Sequence, residues 1–162
     1  MNTALTTIDT PIGNLILAAT DTGIVSCSFT APAAEVDLAG ELACHWRAQA
    51  GRELDAYFAG ALREFTVPVD LRLASAFDRT VLAGLAEVGY GTTISYGRLG
   101  ATLGLPAEAA RGVGAALGHN PVWIIVPCHR VVGADGALTG YAGGLGAKRT
   151  LLDLESDLPR LF

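Results

Sequence analysis

Positions 127 to 131 read Pro127-Cys128-His129-Arg130-Val131, directly after the apolar run Trp123-Ile124-Ile125-Val126. The run predicts a buried strand, so a thiol, an imidazole and a guanidinium would stand where that strand ends in a proline-fixed turn. An isolated cysteine has a pKa of about 8.5 and is mostly protonated at neutral pH, so a nucleophilic Cys128 needs a base or a cation beside it. His129 is the adjacent base. Neighbouring side chains on a strand point to opposite faces, so the two cooperate only if a turn begins here or a water bridges them. A carboxylate should orient the imidazole, and Glu155, flanked by apolar residues near the C-terminus, is the acid best placed to be buried. Cys128, His129 and Glu155 would then form a relay. Singly, a cysteine after an apolar run is ordinary core filling and a histidine in a turn is ordinary solvated surface. The tetrapeptide as a unit, followed by a glycine-rich stretch, is what points to chemistry.

The elements that would hold these groups fall into two halves joined by Asp70 to Ser75. Leu5 to Ile8, Leu15 to Ala18 and Ile24 to Phe29 read as strands of an antiparallel meander, separated by the turns Pro11-Ile12-Gly13-Asn14 and Asp21-Thr22-Gly23. Glu35 to Gln49 and Arg52 to Ala59 read as two helices, the second with Leu54, Tyr57 and Phe58 on one face, and Glu64 to Val69 reads as extended. Ser75 can cap a helix from Ala76 to Val88 that turns Phe77, Val81, Leu82 and Leu85 inward. Ser95 can cap a helix through Leu103; Gly104-Leu105-Pro106 breaks it, and a second helix runs from Ala107 to Leu117. Two short helices about a glycine-containing turn make a helix-turn-helix candidate. The second carries Ala109, Ala110, Gly112, Gly114, Ala115 and Ala116, so apart from Arg111 its surface is almost bare and suits a nucleic-acid groove. Gly133 to Gly146 holds six glycines, a loop whose backbone can approach a ligand, and Ala147 to Ser156 closes the chain as a helix.

Composition bounds the reading. The chain has 162 residues and 51% hydrophobic content, enough for a packed core. No apolar stretch approaches the roughly 20 residues needed to span a bilayer, and Met1 to Thr10 lacks the pattern of a signal peptide, so a cytoplasmic address and no membrane partner are expected. Cys27, Cys44 and Cys128 are odd in number and unpaired in spacing, which implies reduced thiols. Cys27 and Cys44 read as core filling. With His45 they match no usual zinc spacing, so no metal is expected. The net charge of −5 lies wholly in residues 1–75, four bases against nine acids, whereas 76–162 balance seven against seven. Binding to phosphate would have to come from a local patch and would weaken readily with salt.

From Gly91-Thr92-Thr93-Ile94-Ser95-Tyr96 through Glu155, including Ala109-Ala110-Arg111, Gly118-His119-Asn120-Pro121 and Pro127-Cys128-His129-Arg130-Val131, the chain resembles the O6-alkylguanine-DNA alkyltransferases. The resemblance implies an α+β fold: a small N-terminal ribonuclease-H-like antiparallel sheet domain, residues 1–75, followed by a mostly helical, winged-helix-like domain with the helix-turn-helix, residues 76–162. It implies direct, irreversible transfer of an alkyl group from O6 of guanine in DNA to Cys128, with O4-alkylthymine as a second candidate lesion. The base is rotated out of the stack so that the thiolate can reach it, and the thioether formed ends the protein's activity after one event; the resemblance implies no cofactor. By the same resemblance Tyr96 supplies the proton that restores guanine and contacts the 3′ phosphate. Arg111 enters the gap left by the flipped base in the minor groove, and Ala109, Ala110 and Gly114 let the helix lie close. Asn120 ties the recognition helix to the active-site turn. The pocket is walled by Trp123, Val131, Thr139, Tyr141, Ala142 and Gly143. Some relatives have serine at Ala142, leaving only the backbone N–H here as a donor to O6. Some have proline and glycine at Trp123 and Thr139, so a narrower pocket favouring methyl over benzyl is expected.

The implied partner is double-stranded alkylated DNA bound through the minor groove, by a monomer with no obligate protein partner. Two other readings are weighed: a non-catalytic alkylated-DNA sensor, which would lack the reactive cysteine, and a cysteine hydrolase, for which the bare arginine-bearing helix would have no purpose.

Overall fold

The computed structural model describes residues 5–32 and 36–156. Strands β1 (Leu5–Thr10), β2 (Gly13–Ala19) and β3 (Ile24–Ser28) form the antiparallel meander, in the order β1-β2-β3. Register runs from Leu5 opposite Ala18 to Thr10 opposite Gly13, where a positive φ of 123° makes the tight turn and favours glycine. The outer edge of β3 is not left open. The Ile24 amide donates to Pro68 O at 2.8 Å and its carbonyl accepts from Asp70 N at 2.8 Å; the Cys27 amide donates to Pro121 O at 2.8 Å and its carbonyl accepts from Trp123 N at 2.9 Å. Two segments thus cover an edge that would otherwise pair with another chain. The Glu64 to Val69 stretch supplies only a single bridge, at Val69. The other segment leads directly into the cysteine motif.

One helix, α1 (Glu41–Phe58), replaces the two expected there. Gly51 does not break it, because the glycine faces β1, with Ile8 Cδ1 3.5 Å from where a Cβ would stand, and packing outweighs the roughly 1 kcal/mol propensity cost. It begins at Glu41 because Asp21 Oδ1, from the β2–β3 turn, accepts from the Ala43 amide at 3.1 Å where the N-cap Gly40 has no side chain to offer. Glu35, the expected start, lies outside the described residues. Cys44 is exposed rather than core, since α1 turns Ala43, Arg47, Ala50, Leu54 and Tyr57 inward instead.

Ser75 caps α2 (Ala76–Gly84) by accepting from Asp78 N at 3.1 Å, and a 3-10 turn, Leu85–Glu87, continues it. Val81, Leu82 and Leu85 are buried as expected, but Phe77 is 42% exposed. Its ring lies over Gly112 of the next helical pair, 3.6 Å from the site of a Cβ, while Asp78 takes the inner position and meets His119 Nδ1 at 3.1 Å. Ser95 caps α3 (Tyr96–Thr102) through Arg98 N, and Gly104 at φ 74° reverses the chain. A 3-10 turn, Ala107–Ala109, then opens α4 (Ala110–Gly118). The strand pair β4 (Ile94–Ser95) and β5 (Val131–Val132) is parallel, with Ile94 opposite Val131. It fixes the start of the helix-turn-helix against the residues following the cysteine motif. Helix α5 (Leu145–Glu155) closes the described chain. One hydrophobic core spans both halves, from Leu15, Leu54 and Tyr57 to Leu99, Val113 and Leu151.

Candidate active site

The run before the motif is not a strand. Val122 bridges to Cys27, but Ile124 has φ 73°, a conformation costly for a β-branched residue, and the Ile125 amide turns back onto Trp123 O at 2.8 Å. A second three-residue turn follows at Pro127 (φ −83°, ψ 59°), where the Cys128 amide donates to Val126 O at 2.9 Å. The chain enters Cys128–Arg130 already coiled as a 3-10 turn, in which neighbouring side chains no longer oppose one another. Cys128 lines a cavity while His129 points into the protein.

Asn120 organises this bend. Its Oδ1 accepts from Val122 N at 3.0 Å, which fixes the amide orientation; its Nδ2 donates to Val126 O at 3.0 Å and to Cys128 Sγ at 3.2 Å. One buried side chain thus joins the end of α4 to the thiol.

His129 is fully buried, and its Nε2 lies 2.7 Å from Glu155 Oε2. Burial lowers the imidazole pKa, with the Glu155 contact opposing, so the ring rests neutral. A neutral ring beside a carboxylate carries its proton on Nε2 and leaves Nδ1 as a base; that nitrogen is buried with no hydrogen-bond partner among the described residues. Burial pushes the Glu155 carboxyl up, but hydrogen bonds from His129, Arg130 and Tyr57 outweigh it and hold the pKa at about 2. Burial pushes the Cys128 thiol up to about 11, against the Asn120 amide and the Lys148 charge, which pull it down. At rest the pair is thiol and neutral imidazole.

No catalytic role follows from the sequence for three supporting groups, Arg130 of the tetrapeptide among them. Arg130 donates from Nε to Glu155 Oε1 at 2.8 Å, from Nη2 to Oε2 at 3.2 Å and from Nη1 to Val88 O at 2.8 Å. Lys148, 1% exposed, donates to Val131 O at 2.6 Å and Gly140 O at 2.8 Å, clamping the cysteine turn and the glycine loop to α5. Tyr57, from α1, donates to Glu155 Oε2 at 2.6 Å. Burial places Lys148 and Tyr57 among core positions, and only an i+3 match of Lys148 to the buried Leu151 hints at an inward lysine.

The cavity above Cys128 has a volume of about 540 Å³. It is lined by Tyr96, by Ala110, Gly114, Leu117 and Gly118 of α4, and by the loop residues Thr139, Gly140, Tyr141 and Ala142. Thr139 Oγ1 donates to the Tyr96 hydroxyl at 3.2 Å. Val131 is wholly buried beneath the site, and Trp123 stands behind Tyr141, ring centroids 5.8 Å apart. Gly143 is wedged between them: a Cβ there would stand 2.9 Å from the Tyr141 ring and 3.1 Å from Trp123. Ala109 is half-buried at the head of α4, and Arg111 is exposed one position beyond Ala110. The thiol, bare helix and glycine loop therefore meet at one cleft large enough for a nucleobase, with the base and carboxylate buried outside its lining.

The family model described as "6-O-methylguanine DNA methyltransferase, DNA binding domain" matches residues 76–157, and that described as "6-O-methylguanine DNA methyltransferase, ribonuclease-like domain" matches 4–71. The chain is 48% identical to the methylated-DNA–protein-cysteine methyltransferase of Mycolicibacterium paratuberculosis, covering 92% of this chain and 90% of that one. It is 40% identical to that of Methanosarcina acetivorans, covering 91% and 94%. The crystal structure of Mycobacterium tuberculosis OGT in complex with DNA superposes with a TM-score of 0.79 at 44% identity, covering 92% of this chain and 90% of that one. With both halves matched in order, the chain belongs to the family of methylated-DNA–protein-cysteine methyltransferases.

Proposed function

We propose that this protein repairs DNA by moving the alkyl group of an O6-alkylated guanine onto Cys128 Sγ, once per molecule. The observation that carries the reading is the thiol at the floor of a base-sized cavity, backed by a buried neutral imidazole whose free nitrogen can take its proton. The proton leaves Sγ for His129 Nδ1, directly or through a water. The imidazolium is then stabilised by Glu155, and the nearby Lys148 charge favours the thiolate. In-line attack forms the S–C bond as the C–O6 bond breaks; the electron pair stays on guanine, which takes a proton from the Tyr96 hydroxyl on the cavity wall, and the tyrosinate is reprotonated from water as His129 releases the proton it took. The thioether is stable, so no step regenerates the thiol.

Exposure of Arg111 beside the small residues of α4 supports minor-groove docking, with the guanidinium filling the gap left by a rotated base. Backbone N–H groups near Ala142 meet guanine O6, and Thr139 on the wall supports a preference for methyl over benzyl substituents. The reading takes the protein as a two-module monomer, residues 1–75 and 76–162, acting in the cytoplasm without cofactor or obligate protein partner; among the described residues no helix is long and apolar enough to cross a membrane. Retention of Cys128 in the cleft favours transfer over lesion sensing. The test is a titration of duplex DNA carrying one O6-methylguanine against the protein. Repair that plateaus at one lesion per protein supports the reading, and repair that continues past equivalence excludes it.

A further inference from the structure

The first half of the chain contributes directly to the relay at one atom. Glu155 Oε2 receives the Tyr57 hydroxyl at 2.6 Å, faces His129 Nε2 at 2.7 Å and accepts from Arg130 Nη2 at 3.2 Å, so three donors share one carboxylate oxygen and Tyr57 is the one among them from the first half of the chain. Tyr57, His129 and Glu155 are buried to 1% exposure or less. The Tyr57 ring is held by Phe58, Phe65 and Tyr90 at centroid distances of 5.1, 5.5 and 6.4 Å, so the hydroxyl direction is set by packing. We propose that Tyr57 is a positioning residue of the alkyl-transfer relay, limiting how strongly Glu155 draws on the His129 proton and so setting the strength of the base that receives the Cys128 proton.

The physical reason is a competition. A carboxylate oxygen that already accepts a short hydrogen bond has less charge to offer a second donor. With the Tyr57 hydroxyl in place Glu155 stabilises imidazolium less, and His129 stays neutral to lower pH. Without it the carboxylate pulls harder on Nε2–H and the imidazole becomes more basic. The other charged or titratable groups facing this centre are Arg130, bonded to both carboxylate oxygens, Tyr90 with Arg130 over its ring at 5.8 Å, Lys148 on α5, Tyr141 and Cys128 itself; Arg63 also lies over the Tyr90 ring, at 4.9 Å. Removing one oxygen from Tyr57 takes away no hydrogen bond that these groups make to Glu155, although Arg130 Nη2, 3.2 Å from the same oxygen, shares with His129 the charge it frees.

The proposal rests on the alkyl-transfer reading for its kinetic consequence but not for its first readout. Tyr57→Phe keeps the ring and its packing. In DNA-free protein, NMR titration of the His129 ring should show its pKa raised by about one unit relative to the unmodified protein. The acid limb of the transfer rate against pH should move up by the same amount, since protonated His129 cannot accept the thiol proton. Leu54→Val, on the same helix, loses core packing without removing a hydrogen bond to Glu155, and should move neither quantity. In the unmodified protein the Tyr57 hydroxyl proton should give a slowly exchanging resonance that shifts as His129 titrates, a readout that survives if Tyr57→Phe folds poorly. An unmoved His129 titration in Tyr57→Phe, or an equal shift in Leu54→Val, or a Tyr57 hydroxyl indifferent to His129, overturns the proposal. A displaced titration in a protein that transfers no methyl group would uphold it while rejecting the transfer reading.

Discussion

Burial pushes the Cys128 thiol up to about 11, while the Asn120 amide 3.2 Å from Sγ and the Lys148 charge pull it back without restoring an ordinary value. The resting residue is therefore protected from indiscriminate alkylation and oxidation, both of which need the thiolate. Reactivity depends on handing the proton to His129 at the moment of attack, and that depends on Glu155. Replacing Glu155→Gln would leave the buried Arg130 charge without its carboxylate, a change expected to cost about 3–5 kcal/mol of stability. Urea unfolding would measure that loss, and a change below about 1 kcal/mol would show that Arg130 finds another partner. Cys128, His129 and Glu155 were legible in the sequence because chemistry restricts which residue types can follow one another around a reactive thiol. Tyr57 was not, because it lies 98 residues from the carboxylate it bonds and carries only the signature of a core aromatic.

At the level of elements, the glycine loop and the cysteine bend are shaped by close contacts rather than by propensity. Gly143 fits between Tyr141 and Trp123 only because it has no side chain. Gly143→Ala should displace Tyr141 from the cavity wall and slow methyl transfer roughly tenfold or more, of the order expected when a reacting group is misplaced by about 1 Å. The melting temperature should fall by only a few degrees. A rate equal to that of the unmodified protein would mean that Tyr141 does not define the pocket. The strands and the helix-turn-helix were readable from period and capping residues such as Ser75 and Ser95. The start of α1 was not, since its N-terminal partner is Asp21, 22 residues earlier. The apolar run at Trp123 to Val126 misled for a similar reason: side-chain bonds from Asn120 reward a doubled turn that local preference would reject.

Across the whole molecule, the buried relay makes folding sensitive to acid. Glu155 has a folded pKa of about 2 against an ordinary 4.5, so the stability it contributes is complete above 4.5 and is lost as pH falls toward 2. His129 acts with the same sign and earlier: its pKa lies below the ordinary 6.5, so the unfolded chain binds a proton first and stability begins to decline below that value. Thermal melts between pH 7 and pH 3 should therefore fall in two stages, the lower one missing in Glu155→Gln. A flat profile down to pH 3 would contradict the buried ion network. The charge count confines the net acidity to residues 1–75. It gives no sign that α1 reaches the Glu155 carboxylate through Tyr57, because that depends on how the helix packs across the core.

We infer that Cys128, and no other sulfur, receives the alkyl group. After incubation with one equivalent of duplex DNA holding a single isotopically labelled O6-methylguanine, proteolysis and peptide mass mapping should place the label on the peptide containing Cys128, with none on exposed Cys44 or buried Cys27. Label on Cys44, or an unlabelled protein beside repaired DNA, would contradict it.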